Sequence, residues 1–175
     1  MFSDPQKNIS QISIPLGTVV ADFGSGSGHY VKTLAKTVGD SGKVYAIDIQ
    51  KELLLKVKNE SNAEGLRNVE VIHGDLEKPN GTHLRDGSVG MVVMSNILFQ
   101  VSDQKALFKE AQRILSSGGI LLIIDWTETT EGVGPKQDRI ISKNQVEEMA
   151  HEFGFQVMKE IDAGAHHYGI VCKKV

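Results

Sequence analysis

The chain has 175 residues, 40% of them hydrophobic, and a formal net charge of −3 at pH 7. That is enough for one domain with a sizeable core, and it leaves no excess positive charge to draw a polyanion such as nucleic acid. Its only cysteine, Cys172, rules out an intrachain disulfide and fits a reducing compartment. The opening MFSDPQKNIS lacks an apolar signal core, and the longest apolar run, residues 120–124, is far too short to span a bilayer. A cytoplasmic protein without membrane attachment is therefore expected.

Asp4 and Pro5 read as the N-cap and first residue of a short helix whose Ile9 and Ile12 share a face. Residues 1–15 are expected to fold over the site as a lid, the alternative being a frayed terminus. Strand-like and helix-like patterns then alternate, the mark of a parallel sheet covered by helices. The first strand, residues 19–23, runs into Gly24-Ser25-Gly26-Ser27-Gly28, and Val31, Leu34, Ala35 and Val38 follow at helical spacing. Further strands are expected over residues 43–47, 69–72, 90–94 and 120–124, with Met91 and Met94 as plain strand core. Between them lie a helix carrying Leu53, Leu54 and Val57, which ends near Gly65, and one capped by Ser102 or Asp103. The second has a buried stripe of Leu107, Phe108, Ala111, Ile114 and Leu115, and Gly118-Gly119 are expected to end it. Residues 78–81 read as a loop and 86–88 as a turn.

The last helix carries the best local signal. Ser142 and Gln145 form a capping box, Ile141 and Val146 a staple, and Gly154 is the stop. Two closing strands, 155–161 and 167–172, are joined by Asp162-Ala163-Gly164-Ala165, too short for a parallel crossover, so they should form an antiparallel hairpin.

The glycine turn lets a ligand lie against bare backbone and aims unpaired helix N–H groups at an anion. A dinucleotide site wants a third glycine five positions after the first; here Gly28 comes four after Gly24. Asp22, just before the glycines, suits a ligand with an ammonium group beside its carboxylate. Asp48, ending the second strand, is placed to accept from two ribose hydroxyls. Asp75 is placed to accept from an adenine amino group, with Leu76 against the ring.

The series ADFGSGSG, VYAIDI, HGDL, MSNILFQV and RILSSGGILLIIDW resembles the class I S-adenosylmethionine-dependent methyltransferases, over roughly residues 18–126. The nearest group is that of ubiquinone/menaquinone-biosynthesis and small-molecule methyltransferases. The resemblance implies a Rossmann-like α/β fold, a doubly wound seven-stranded sheet that is mostly parallel with the last strand antiparallel, in one domain over residues 1–175. It implies S-adenosyl-L-methionine as cofactor, held by Asp22, Gly24, Ser25, Gly26 and Gly28 at the methionine end, by Asp48 and Ile49 at the ribose, and by Asp75 and Leu76 at the adenine. Ser95 then lines the cofactor, while Asn96, Phe99, Asp125 and Trp126 are candidate acceptor-pocket residues.

Departures from related groups narrow the acceptor to a small molecule. The place of the Asn/Asp-Pro-Pro-aromatic run of nucleic-acid amino methyltransferases reads Ser95-Asn96-Ile97-Leu98. Cytosine C5 methylation needs a cysteine nucleophile, and Cys172 falls on the last strand, away from the switch point; the several cysteines of arsenic-methylating relatives are lacking. No acidic cluster for a catechol-type metal stands out, so no metal is expected. His29 and His73 read as structural, and His166 and His167 as a polar strand entry, so no catalytic base is assigned. The rival readings are a nicotinamide-dependent reductase, disfavoured by the glycine spacing and the lack of a Tyr-x-x-x-Lys pair, and a non-catalytic nucleoside-binding module that recruits a partner.

Overall fold

A computed structural model describes residues 3–129 and 133–175 of the chain. Met1 and Phe2 of the expected lid, and Gly132 of the loop after Trp126, lie outside the described residues. Seven strands, β1 (Val19–Phe23), β2 (Lys43–Asp48), β3 (Val69–His73), β4 (Val89–Ser95), β5 (Leu115–Trp126), β6 (Phe155–Ile161) and β7 (His167–Lys174), form one sheet in the order β3-β2-β1-β4-β5-β7-β6. The five strands β1 to β5 pair in parallel, and β7 runs antiparallel to both β5 and β6. The closing hairpin thus follows from its short link, and chain order reverses between β1 and β4, where a crevice opens at the C-terminal strand ends.

Alternation along the strands feeds two apolar layers. On β5, Leu121 and Ile123 face one layer and Leu122 and Ile124 the other, all fully buried. One layer is closed by α4 (Gln104–Ile114) and α5 (Lys143–Glu152), through Leu107, Phe108, Val146 and Ala150. The other is closed by α1 (Pro5–Ser10), α2 (His29–Val38) and α3 (Lys51–Ala63), through Ile9, Leu34 and Leu54. Met91 and Met94 lie on opposite layers, each at most 2% exposed.

Local chemistry sets the helix ends. The Asp4 carboxylate accepts from the Gln6 and Lys7 N–H groups, with Pro5 at the first helical position. Asp103 caps α4 by accepting from Ala106 N–H, and the Ser142–Gln145 capping box forms at α5. The glycine pair 118–119 does not end α4. The helix stops at Ile114, Leu115 is already extended, and β5 begins there. The pairing of β5 with β4 shifts between Val89–Leu115 and Met91–Ile120, and Gly118, at φ +73°, lies in that irregular stretch. These glycines shape a bulged strand entry, a possibility that helical periodicity running through Leu115 hides.

Candidate active site

Two adjoining cavities, each of about 360 Å3, open along the crevice and share Gly24, Gly26 and Gln100 in their walls. The glycine turn that divides them is built on β2. The Gly24 and Ser25 N–H groups both donate to the Ile47 carbonyl, at 2.9 and 3.0 Å. Gly24 has φ +66°, and a Cβ there would stand 2.4 Å from Ile97 Cδ1, so the turn packs against the β4–α4 loop at a distance only glycine permits. Gly26, at φ +52°, is different: a Cβ would meet nothing closer than 3.9 Å, because the residue faces the open crevice. Gly28, at φ +84°, starts α2 without a side-chain cap and lies against Val57, behind the cavities rather than in their walls.

The first cavity lies between β2 and β3. Asp48 Oδ2 accepts from Gly26 N–H at 2.9 Å and Oδ1 from Gln50 N–H at 2.8 Å, so both backbone flanks hold the carboxylate at the strand end. Ile49 and Leu76 form apolar walls, and Asp75 stands across from Asp48. Asp75 Oδ1 accepts from Glu77 N–H at 3.0 Å, and Glu77 Oε1 accepts from the Ser102 and Asp103 N–H groups at 2.9 and 2.8 Å, tying this wall to the start of α4. The loop 78–81 is part of the same construction. A Cβ on Gly81 would fall 1.8 Å from the Asp75 carbonyl oxygen, and one on Gly74 2.0 Å from the Gly81 carbonyl oxygen.

The second cavity lies between β1, β4 and β5. Asp22, only 2% exposed, lines it with no hydrogen bond from any described residue. Burial, helped by the charge of Asp48, pushes its carboxyl up to about 8. Ser25 Oγ is buried without a partner among the described residues. Ser95 and Asn96 end β4 in the same wall; Asn96 adopts φ +55°, tolerable for asparagine, and its Oδ1 is also unpartnered among the described residues. On the far side, Trp126 of β5 is paired in register with His167 of β7, ring centroids 4.3 Å apart.

A profile of the methyltransferase-domain family matches residues 16–170. The chain belongs to this family. A solved S-adenosylmethionine-dependent methyltransferase from Aquifex aeolicus superposes with a TM-score of 0.89 at 30% identity, over 99% of this chain and 91% of that one. An arsenite methyltransferase from Aquipseudomonas alcaligenes is 35% identical over 113 residues, 62% of this chain and 33% of its own length. A demethylmenaquinone methyltransferase from Geobacillus stearothermophilus is 29% identical over 121 residues, 69% of this chain and 50% of its own. The chain thus spans half or less of the length of these two curated relatives. Family and fold are those of the class I methyltransferases, whose methyl donor is S-adenosylmethionine.

Two residues expected in the acceptor pocket lie elsewhere. Asp125 is 3% exposed and turned into the protein: its Oδ2 accepts from Leu98 N–H at 3.0 Å and its Oδ1 from Trp126 N–H at 2.8 Å. Burial pushes this carboxyl up to about 6, against the pull of those backbone donors. Asp125 therefore clamps the β4–α4 loop to β5. Phe99 lines neither cavity; it is half-buried, and its carbonyl accepts from Arg139 Nε. Conversely, Gln100, which carried no expectation, and His167, expected as no more than a polar strand entry, line the cavities. Gln100 Nε2 donates to the Asn96 carbonyl at 2.6 Å, a link across one turn of irregular loop that no periodicity reveals. His167 reaches the site only through its register against Trp126.

Ser3 and Pro5 also line the second cavity, ahead of α1 and at its start. Asn8 anchors that helix, in the amide orientation that satisfies both ends: its Oδ1 accepts from Tyr30 Oη at 2.6 Å, and its nitrogen donates to the Asp162 carbonyl at 3.2 Å. Lys7 adds an exposed ion pair with Asp162. Among the described residues no group of three or more His, Cys, Asp and Glu stands together to hold a metal ion, and no helix is long and apolar enough to cross a membrane.

Proposed function

We propose that this chain transfers a methyl group from S-adenosylmethionine to a small molecule, with the donor lying across the glycine turn from one cavity into the other. The observation that carries this reading is the placement of three carboxylates and one hydroxyl along a single crevice. Asp22 meets the ammonium group, Ser25 Oγ the carboxylate, Asp48 the ribose diol and Asp75 the adenine amine. An unpartnered buried carboxylate and an unpartnered buried hydroxyl are groups that a zwitterion satisfies. Gly26 leaves the room that the chain of the donor needs at the divide. When bound, the donor supplies a carbon already activated by its sulfonium; the protein supplies alignment and exclusion of water. Ser95 and Asn96 line the reacting end, and Ser3 and Pro5, at the head of the expected lid, close one side of it, while residues 12–15 run beside Gly90 and Ser116–Ile120 at the opposite sheet edge.

The acceptor lies on the Trp126 side of the second cavity. Arsenite is disfavoured, because Cys172 is fully buried in the sheet and its thiol is pushed up to about 12 by burial, leaving no thiolate for an arsenic centre. The test is calorimetry with S-adenosylhomocysteine. Binding in the micromolar range is expected, and Asp48→Ala should weaken it by roughly 100-fold or more, since charged hydrogen bonds to ligand and to the glycine turn go together. NADH binding without S-adenosylhomocysteine binding would refute the reading.

A further inference from the structure

The two cavities of the crevice meet at a divide, and Gly24, Gly26 and Gln100 line both. The glycines present only backbone there, so among the described residues Gln100 carries the one side chain at the divide. It stands in the loop that leaves β4, and that loop is fixed at each step. Asn96 N–H donates to the Ile124 carbonyl at 2.8 Å, Leu98 N–H to Asp125 Oδ2 at 3.0 Å, and Gln100 N–H to the Ile97 carbonyl at 2.9 Å. Ile97 in turn closes on Gly24, the contact that a Cβ would violate at 2.4 Å. Gln100 is thereby held opposite the glycine turn. An exposed glutamine ordinarily keeps its rotamer freedom. Here the left-handed Asn96, at φ +55°, offers its carbonyl to Gln100 Nε2 at 2.6 Å, which ties down an otherwise exposed side chain. Only the nitrogen of the amide can face a carbonyl, so the oxygen is the free end, without a partner among the described residues.

We infer that Gln100 is the residue through which this site reads the charge of its donor: the side-chain oxygen meets the sulfonium at the divide, and the neutral thioether left after transfer is held less well. That assignment rests on the cofactor reading above and deepens it. With the amino-acid end at Asp22 and the ribose at Asp48, the sulfur is the atom that joins them, and it falls where the cavities meet. Among the described residues no Lys or Arg lines either cavity, so nothing there opposes a cation. Asp22 answers the ammonium group and Asp48 the diol, which leaves the sulfonium to an uncharged oxygen. An uncharged oxygen suits that place. A carboxylate would stabilise the concentrated charge of the bound donor more than the dispersed charge of the transition state, and so would slow transfer. An amide oxygen attracts the polarised C–H bonds around the sulfonium weakly, and its hold lapses once the charge is gone. Product release, and its replacement by fresh donor, are favoured in consequence.

The test is calorimetry on the full chain with three probes: S-adenosylmethionine, S-adenosylhomocysteine, and sinefungin, in which an amine-bearing carbon replaces the sulfonium. The readout is the ratio of affinities for charged and neutral ligand. Relative to wild type, Gln100→Leu should lower the ratio of S-adenosylmethionine to S-adenosylhomocysteine affinity about threefold. Gln100→Glu should raise it about fivefold, because a full charge then faces the cation. Sinefungin should follow S-adenosylmethionine in direction in both variants. Both substitutions remove the donation to the Asn96 carbonyl, so a side chain that only braces the loop would move all three ligands alike. Equal changes for all three ligands, or a ratio that shifts the same way in both variants, would overturn the proposal. Failure of wild type to bind any of the three would instead refute the cofactor reading, and this inference with it.

Discussion

Asp22→Asn should make the free protein more stable and the donor site weaker, two effects of opposite sign from one atom. Asp22 sits at 2% exposure with no hydrogen-bonding neighbour among the described residues, and burial raises its carboxyl from the ordinary range near 4 to about 8. Below pH 4 the folded and unfolded chains both hold the proton, and the residue contributes no pH dependence. Between pH 4 and 8 the unfolded chain releases it while the folded chain keeps it, so stability falls as pH rises, and levels off above 8. One pH unit of such displacement is worth about 1.4 kcal/mol. The neutral amide removes the loss, so the variant should gain about 2–4 kcal/mol at pH 7, equivalent to a Tm increase of roughly 5–15 °C for a chain of this size. The gain should shrink towards nothing near pH 4.

Donor affinity should move the other way. An amide cannot neutralise an ammonium group, and losing a charge-assisted contact should cost about 10- to 100-fold in S-adenosylhomocysteine affinity. In wild type that affinity should strengthen with pH up to about 8, because only the ionised carboxyl answers the ammonium, and the dependence should flatten in Asp22→Asn. Thermal melts at pH 4.5, 7 and 8, with calorimetry at pH 6, 7 and 8, measure both. A variant whose Tm is unchanged or lowered at pH 8, or raised equally at pH 4.5 and pH 8, would refute the account of Asp22 as an unpaired buried acid waiting for a cation.

Gly24→Ala should destabilise the chain by roughly 2–4 kcal/mol in thermal melts, from a left-handed backbone together with a methyl driven into Ile97. Adding Ile97→Val, which removes the Cδ1 atom that a Cβ would meet at 2.4 Å, should restore part of that loss; strict additivity would show that the clash is not the cause. Deleting residues 1–13 removes Ser3, Pro5 and the Asn8–Tyr30 anchor from the second cavity, and should weaken S-adenosylhomocysteine binding about tenfold. Unchanged affinity would mean that the segment is not a lid.

The sequence carries the half of this site that local chemistry writes. Asp22, the glycines, Asp48 and Asp75 each follow a hydrophobic strand run, and in a parallel sheet the C-terminal strand ends all reach one edge, so the order of motifs already sets them beside one crevice. The Trp126 side of the second cavity is written in pairing register. Asp125 and Trp126 are neighbours in sequence, and alternation sends one into the loop clamp and the other to the cavity wall; which goes where depends on β7, whose Tyr168 stands opposite Asp125 and whose His167 stands opposite Trp126. A shift of one residue in the closing hairpin would place the phenol of Tyr168 where the imidazole now lies. The hairpin link fixes only that the two strands are antiparallel; the register comes from burying Tyr168, Ile170 and Cys172 against the α4–α5 layer. The side chain that most distinguishes this pocket is therefore positioned by core packing on the opposite face of the sheet, so acceptor preference should respond to apolar substitutions at Ile170 that never touch the cavity.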